Sequence, residues 1–426
     1  MAVSADLRET LAGLVGPENV LTGPETLLYA VDGVAPKAVV FPETREQVRE
    51  VVRLARRERL GILPFGGGTK VGFGHPPAAY DLAVVTRRLN RVVDYSPADL
   101  TAVVEAGLGF ERLTDLLRRE GQFLPFDPVG PGRSTVGGIV AAGLGGLRRA
   151  FYGPPRDWVL GVAAVTGDGE LIRGGGRTVK NVSGYDLCRL FAGSWGSLGI
   201  IVELCFKVFP TPPENALAVV GLPAAEDAFS LGRDVWRQVP YPAAILGLDA
   251  ESARTLTGQG RAGAVLLVLF SGVKADLEFQ LGRLRSVAAD RAAAFDVVGN
   301  AGLPGLWSRL CDHPDLVGRD LPVWVRISVP PAEVGAFGPD VAGRRFLADL
   351  AGGVINLYLE SADPPYLADL RRRANAAGGT LALGRAPAEL KAAFPAWDPL
   401  PAADLMGRVK RALDPDGILS PGRLVT

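Results

Sequence analysis

Leu63-Pro64-Phe65-Gly66-Gly67-Gly68-Thr69-Lys70 is the stretch on which the reading of this chain turns. Three consecutive glycines follow a short apolar run, Gly61 to Leu63, and end in a hydroxyl and an amine. Glycine has no Cβ and takes φ of either sign, so such a loop can turn successive N–H groups into a concave nest for a phosphate oxygen. The spacing separates it from two better-known loops. A Walker loop puts lysine between the last glycine and the hydroxyl, whereas Thr69 precedes Lys70 here. No helical pattern opens straight after Gly68, as the Gly-x-Gly-x-x-Gly turn of a dinucleotide fold requires. Taken alone, the loop reads as a pyrophosphate cradle or as a plain glycine turn.

The flanking sequence alternates strand and helix. Ala38 to Phe41 is an apolar run, and Thr44 and Gln47 have the spacing of a capping box. Val48, Val51, Val52 and Ala55 then form an i, i+3, i+4, i+7 stripe, which predicts a helix lying on a sheet. With Gly61 to Leu63 as the next strand, this is a βαβ-like unit ending in the glycine loop. A second unit follows, a strand over Leu100 to Ala106 and a helix over Phe110 to Glu120 closed by Gly121.

Glycine returns twice more. Phe126-Asp127-Pro128-Val129-Gly130-Pro131-Gly132-Arg133-Ser134-Thr135-Val136-Gly137-Gly138 leads into a small-residue run that includes Gly143. Hydroxyls followed by small residues suit a helix N-terminus that meets an anion. Val159 to Val165 reads as a strand, Thr166 to Gly169 as a tight turn and Glu170 to Arg173 as the hairpin partner. Lys180 to Leu187 then leads to Gly193-Ser194-Trp195-Gly196-Ser197-Leu198-Gly199-Ile200-Ile201, where glycine spacing lets backbone approach a flat or charged ligand. Three such runs in one domain point to one long ligand rather than three separate turns.

Composition sets the outer limits. A chain of 426 residues exceeds a single core and should divide into two or three domains. Hydrophobic content of 48% with 22% charge describes a folded globular protein, and a formal net charge of +0 argues against a phosphate-tracking nucleic-acid surface. The N-terminal ten residues lack the basic head and apolar core of a signal peptide. No apolar run reaches the roughly 18 to 20 residues of a membrane span, and Ala264 to Phe270 reads as a short buried strand. A cytoplasmic protein is expected, held at a membrane only through partners. Cys188, Cys205 and Cys311 are isolated, which excludes a four-cysteine cluster or a disulfide framework and predicts buried, inert thiols. With only His75 and His313, no metal site built on several imidazoles is expected.

These motifs carry a resemblance. Residues 34 to 212 resemble the PCMH-type FAD-binding module of the vanillyl-alcohol oxidase superfamily, and are most similar to the FAD-binding E subunits of bacterial glycolate oxidases. The resemblance rests on residues 64 to 70, 126 to 138, 179 to 187 and 193 to 201, and on a closing motif at 409 to 423. It implies an α+β chain: a two-lobed FAD-binding domain over 1–212, an α+β cap over 213–385, and a segment over 386–426 that packs back on the FAD domain. Pro64, Phe65, Gly66, Gly67, Gly68, Thr69 and Lys70 would hold the pyrophosphate. Asp127, Pro128, Ser134, Thr135, Gly137, Gly138 and Gly143 would line flavin and phosphates, with Gly199 and Ile201 passing along the cofactor. Some relatives tether flavin through a histidine in the first loop. Thr69 stands at that place, so FAD is expected to be non-covalent, and His75 reads as a loop residue.

The cap opens behind Pro210, Pro212 and Pro213, a stiff linker. In Val323 to Val329, alternation puts Trp324, Arg326 and Ser328 on one face. Arg326 thus either aims a guanidinium at a carboxylate in the flavin cleft or sits on a solvated face. The metal-gathering histidine and Glu-His motifs of catalytic 2-hydroxyacid dehydrogenases in the superfamily are missing, and the base is open between His313 and Tyr185. Two functions follow from the resemblance. One is an FAD-bearing glycolate oxidase subunit, relaying electrons beside a metal-bearing catalytic flavoprotein and an iron–sulfur subunit. The other is a self-sufficient, metal-free FAD-dependent dehydrogenase of a small 2-hydroxy acid.

Overall fold

The capping box at Thr44 is fully formed in the computed structural model, which describes residues 5–177, 184–258 and 263–424. Thr44 accepts the Gln47 N–H (3.1 Å) and the Gln47 side chain reaches back to the N-cap, starting the helix α2 (Arg45–Arg57) after α1 (Ala5–Val15). Val48, Val51, Val52 and Ala55 are completely buried against a four-stranded sheet. Its strands are β1 (Val20–Thr22), β2 (Ala38–Val40), β3 (Ile62–Phe65) and β4 (Leu82–Val85), in the order β1-β2-β4-β3. Both β2 and β3 run parallel to β4, so the chain needs a crossover between them, and α2 supplies it. Strand β3 continues through Phe65, beyond the expected end at Leu63, so the glycine loop starts from a fixed strand end.

The second lobe is not a repeat of the first. Strands β5 (Val92–Ser96), β6 (Thr101–Glu105), β8 (Val159–Val165), β9 (Leu171–Gly175) and β10 (Ile200–Lys207) form a sheet in the order β5-β6-β10-β8-β9, antiparallel throughout. Strand β7 (Gln122–Phe123) lies apart, paired with β11 (Phe209–Pro210). Helices α3 (Phe110–Arg119) and α4 (Val136–Ala142) bury Phe110, Leu113, Leu117, Val136, Ile139 and Val140 against Val104, Leu204 and Phe206. Gly137 donates its N–H to Ala106 O (2.8 Å), and a Cβ there would lie 2.7 Å from the Ala106 side chain, so only glycine lets α4 sit this close.

Residues 214–385 build an antiparallel eight-stranded sheet from β12 (Glu214–Leu222), β13 (Ala244–Asp249), β14 (Ala264–Gly272), β15 (Ala294–Gly299), β16 (Val323–Ser328), β17 (Arg345–Asp349), β18 (Val354–Leu359) and β19 (Thr380–Arg385). The order is β15-β12-β14-β13-β17-β18-β16-β19. In β14, Leu266, Val268 and Phe270 enter one core while Val265, Leu267 and Leu269 enter the other, which is why the strand reads as unbroken apolar sequence. The second of these cores includes Phe73 and Leu147 from the glycine-bearing lobes. Strand β16 divides similarly: Val323, Val325 and Ile327 face the helix-covered core, Trp324 the core shared with Phe73. Arg326 is on the Trp324 face, turned inward, not on a solvated one.

Residues 410–423 return to the glycine-bearing sheet. Ile62 N–H donates to Ile418 O and Ser420 N–H to Ile62 O (both 2.7 Å), closing the free edge of β3. The Arg423 guanidinium donates to Phe73 O (2.9 Å) and to His75 O. The Lys410 amine is buried between Asp414 (2.6 Å), Ser197 O (3.0 Å) and Leu419 O (3.0 Å). No helix among the described residues is long and apolar enough to cross a membrane. Removing one partner of a buried ion pair leaves the other charge uncompensated. Lys410→Met is therefore expected to lower the free energy of unfolding by about 3 to 5 kcal/mol, read by urea denaturation. A loss below about 1 kcal/mol would show that the pair does not hold this segment in place.

Candidate functional site

The first glycine loop leaves β3 and meets the second loop almost at once. A Cβ on Gly66 would fall 2.1 Å from Thr135 Oγ1, and one on Gly67 would fall 1.8 Å from Arg133 O. These two glycines are needed for close approach. Gly68 alone of the three has a positive φ, +75°, with open space where a Cβ would point. The N–H groups of Gly67, Gly68 and Thr69 meet no acceptor among the described residues; Gly68 is exposed, whereas half-buried amides such as those of Gly67 and Thr69 ordinarily find one. They border an open cleft of about 90 Å³.

The Lys70 amine closes the end of the loop. It donates to Thr69 Oγ1 (2.8 Å), Ser134 Oγ (2.9 Å) and Val129 O (3.1 Å), tying the first loop to the second. Burial, with repulsion from Arg133, pulls its pKa down to about 7. Across the cleft stand Thr135, Gly137 and Gly138, then Trp195, Gly196, Gly199 and Ile201, with Arg423 from the returning segment. Phe73 stacks on Trp195 (5.5 Å, 14°) and meets Trp324 edge-on (5.2 Å), joining the cleft wall to the cap.

Lys70 also lines a second, tighter and more enclosed cavity of about 20 Å³ under the cap sheet. Arg326, His313, Asp349, Asn356 and Trp324 form its cap side and Asp127 belongs to its opposite wall. Among the described residues Arg326 has a single long hydrogen bond, to Asn356 Oδ1 (3.4 Å), and no ion pair. Desolvation, with repulsion from Arg149, lowers its pKa to about 10. Asp349 is 2% exposed; Oδ1 accepts the Gly352 N–H (2.8 Å), while Oδ2 is buried without a partner. Burial raises this carboxyl to about 7 against the pull of Gly352, Arg149 and Arg326. His313 Nδ1 is hydrogen-bonded to Tyr358 Oη, and burial drives its pKa down to about 3, so the imidazole is neutral. Among the described residues no group of three His, Cys, Asp or Glu side chains is placed to hold a metal ion.

The structure brings Pro64 to Lys70, Thr135, Gly137, Gly138, Gly199 and Ile201 to one cleft. Ser134 sits beneath it, bonded to Lys70, and Pro128 and Gly143 line neither cavity. Gly143 instead ends α4 in the left-handed conformation against Gly193. Asp127 is consumed inside the protein by Arg148 (2.7 Å) and the Trp307 indole N–H (2.8 Å). Tyr185 is 93% exposed and lines neither cavity, while residues 179–183 of its motif lie outside the described residues. Trp195, Gly196 and Arg423 belong to the cleft but were not singled out, although the quoted glycine run and the closing motif contain them. Asp349 and Asn356 were missed altogether. A lone acid ending the apolar strand β17, just before Gly352 and Gly353, was the available signal for Asp349.

Comparison with known proteins agrees with this geometry. Residues 36–175 match the FAD binding domain family and residues 398–424 match the C-terminal domain of FAD linked oxidases. Glycolate oxidase subunit GlcD of Bacillus subtilis is 29% identical over 67% of this chain and 63% of its own length. Glycolate oxidase subunit GlcE of Escherichia coli is 38% identical over 38% of this chain and 46% of its own. The chain thus matches less than two thirds of the length of these curated relatives. The crystal structure of p-cresol methylhydroxylase superposes with a TM-score of 0.75 over 99% of this chain and 97% of that one, at 17% identity, a likeness of fold. The chain thus carries a stretch similar to the FAD binding domain and, near its end, one similar to the closing element of FAD linked oxidases, on a fold like that of p-cresol methylhydroxylase.

Proposed function

We propose that this chain is an FAD-dependent oxidoreductase whose own flavin oxidises a small 2-hydroxy acid, as one subunit of a glycolate-oxidase-type assembly. One observation carries the reading: two cavities meet at Lys70, one edged by unpaired backbone N–H groups and the other holding a guanidinium without a carboxylate partner. The first suits a pyrophosphate, with Gly67, Gly68 and Thr69 donating to it and Thr135, Gly137, Gly138, Gly199 and Ile201 following the cofactor. The second suits the carboxylate of a small acid, which would give Arg326 its missing counter-charge. When bound, FAD supplies the acceptor of two electrons. The protein holds the acid in one orientation and keeps water from it.

A second reading is that the chain relays electrons beside a metal-bearing catalytic flavoprotein and an iron–sulfur subunit. It is favoured by the names of two relatives as oxidase subunits and by the lack of a metal-ligand cluster among the described residues.

Anaerobic mixing with glycolate or lactate separates the two. The isolated chain is expected to bleach its flavin, and Arg326→Ala to lose about 2 to 4 kcal/mol of transition-state stabilisation, roughly 30- to 900-fold in kcat/KM. A wild-type flavin that stays yellow, together with increased electron flux when partners are added, would establish the relay reading instead. FAD should leave the protein on acid precipitation, since Thr69 offers no imidazole for a tether; colour remaining in the pellet would refute non-covalent binding. Gly67→Ala should abolish flavin occupancy because its Cβ overlaps Arg133 O. Gly68→Ala, strained only in φ, should cost about 1 kcal/mol and retain most of the FAD. Equal occupancy in the two variants would mean that the loop does not hold the cofactor.

A further inference from the structure

Arg326 and Asp349 line one cavity without pairing with each other, an arrangement that leaves both a cation and a carboxylate oxygen without a counter-group among the described residues. Gly352 lets the carboxylate lie here: a Cβ there would fall 1.9 Å from Asp349 Oδ2, so Asp349 packs directly on bare backbone. A buried polar atom without a partner is uncommon in folded proteins and is costly unless something completes it. A 2-hydroxy acid offers complementary groups on adjacent carbons, a carboxylate for the guanidinium and a hydroxyl for the carboxylate.

We infer that Asp349 is the proton acceptor of this cavity, its Oδ2 taking the hydroxyl proton of a 2-hydroxy acid whose carboxylate lies on Arg326. The assignment rests on the proposed 2-hydroxy acid reading and adds the group that reading lacks. In the step, the O–H bond breaks and its proton passes to Asp349. The Cα–H bond breaks, and that hydrogen with its electron pair requires a two-electron acceptor, which FAD held by the glycine loops would supply. The Cα–O bond becomes a carbonyl, giving a 2-oxo acid, and Asp349 later releases its proton to water.

The other titratable groups in the cavity are poorer acceptors, the Cys311 thiol among them because burial holds it protonated. All three Lys70 hydrogens are directed at oxygen atoms. His313 is engaged by Tyr358, and a base that titrates near 3 has little affinity for a proton at neutral pH. Asp127 is neutralised by Arg148 and bonded to Trp307. The remaining charged neighbour of Asp349 is Arg149, and the flanking strands present Leu246 and Val354. A carboxyl that titrates near 7 is suited to accept a proton and to give it up. Below that pH it is already protonated, so the reaction should weaken about tenfold per pH unit. Lys70 changes charge in the same window, so the pH profile alone does not identify the acceptor.

Asp349→Asn does, because its amide oxygen can still accept the Gly352 N–H while losing the ability to take a proton. In the FAD-loaded wild type, anaerobic flavin reduction by glycolate or lactate should fall with unit slope below about pH 7. The variant should be at least about 100-fold slower and lose that limb, with FAD content and melting temperature retained. A readout independent of turnover is oxalate binding, followed by calorimetry in buffers of different ionisation heat. Near pH 7.5 the wild type should take up a proton as oxalate places a second carboxylate against Asp349. Asp349→Asn should bind oxalate with clearly less uptake, the remainder being the share of Lys70. Wild-type-like reduction by the variant, or identical proton uptake in both proteins, would overturn the acceptor role while leaving the 2-hydroxy acid reading intact. A wild-type flavin that no 2-hydroxy acid reduces would overturn that reading, and the acceptor role with it.

Discussion

The site depends on two stretches of backbone lying in contact. Gly66 and Gly67 press on Arg133 to Thr135 with no space for a side chain, and the Lys70 amine fastens the contact through Thr69, Val129 and Ser134. One stretch issues from a mainly parallel sheet and the other precedes a helix on an antiparallel one. Their contact turns two independent layers into a single cleft. Since interiors are close-packed, adding even one methyl group at this junction cannot be absorbed locally. The same contact places Lys70 where both cavities meet, so the geometry of one is mechanically linked to that of the other.

The cap contributes chemistry through burial rather than through an abundance of polar groups. Removing Lys70, Arg326 and Asp349 from water moves each toward its neutral form, two cations down and one acid up. Such groups are costly in isolation, and they cluster where ligands bind more often than where structure alone is served. His313 is a neutral ring paired with Tyr358, and it shapes the cavity without carrying charge.

Much of this was legible where the signal is local. The capping box at Thr44, the buried stripe of α2 and the strand at Ala264 follow from side-chain spacing within one element, and the structure has them. The glycine loop was readable because its residue types have few other uses. The antiparallel character of the second lobe was not readable, since strand direction depends on which distant segment pairs with β6. The cap cavity was half visible: a period of two put Arg326 and Trp324 on one face, yet nothing local says what that face meets. Asp349 and Asn356 reach Arg326 only because β17, β18 and β16 are neighbours in the sheet. Asp127 illustrates the opposite limit, a residue in a glycine-rich motif whose carboxylate is used to hold Arg148 and Trp307.

The strand that carries the first glycine loop has its outer edge sealed by residues far downstream; Arg423 and Phe73 are 350 positions apart. A nascent chain therefore exposes the loop on an open-edged sheet throughout synthesis of the cap, and such edges invite mispairing. The cleft acquires its Arg423 wall only once the helix over Ala403–Leu413 has emerged and docked its lysine. The cleft therefore lacks one of its walls until the closing segment has docked.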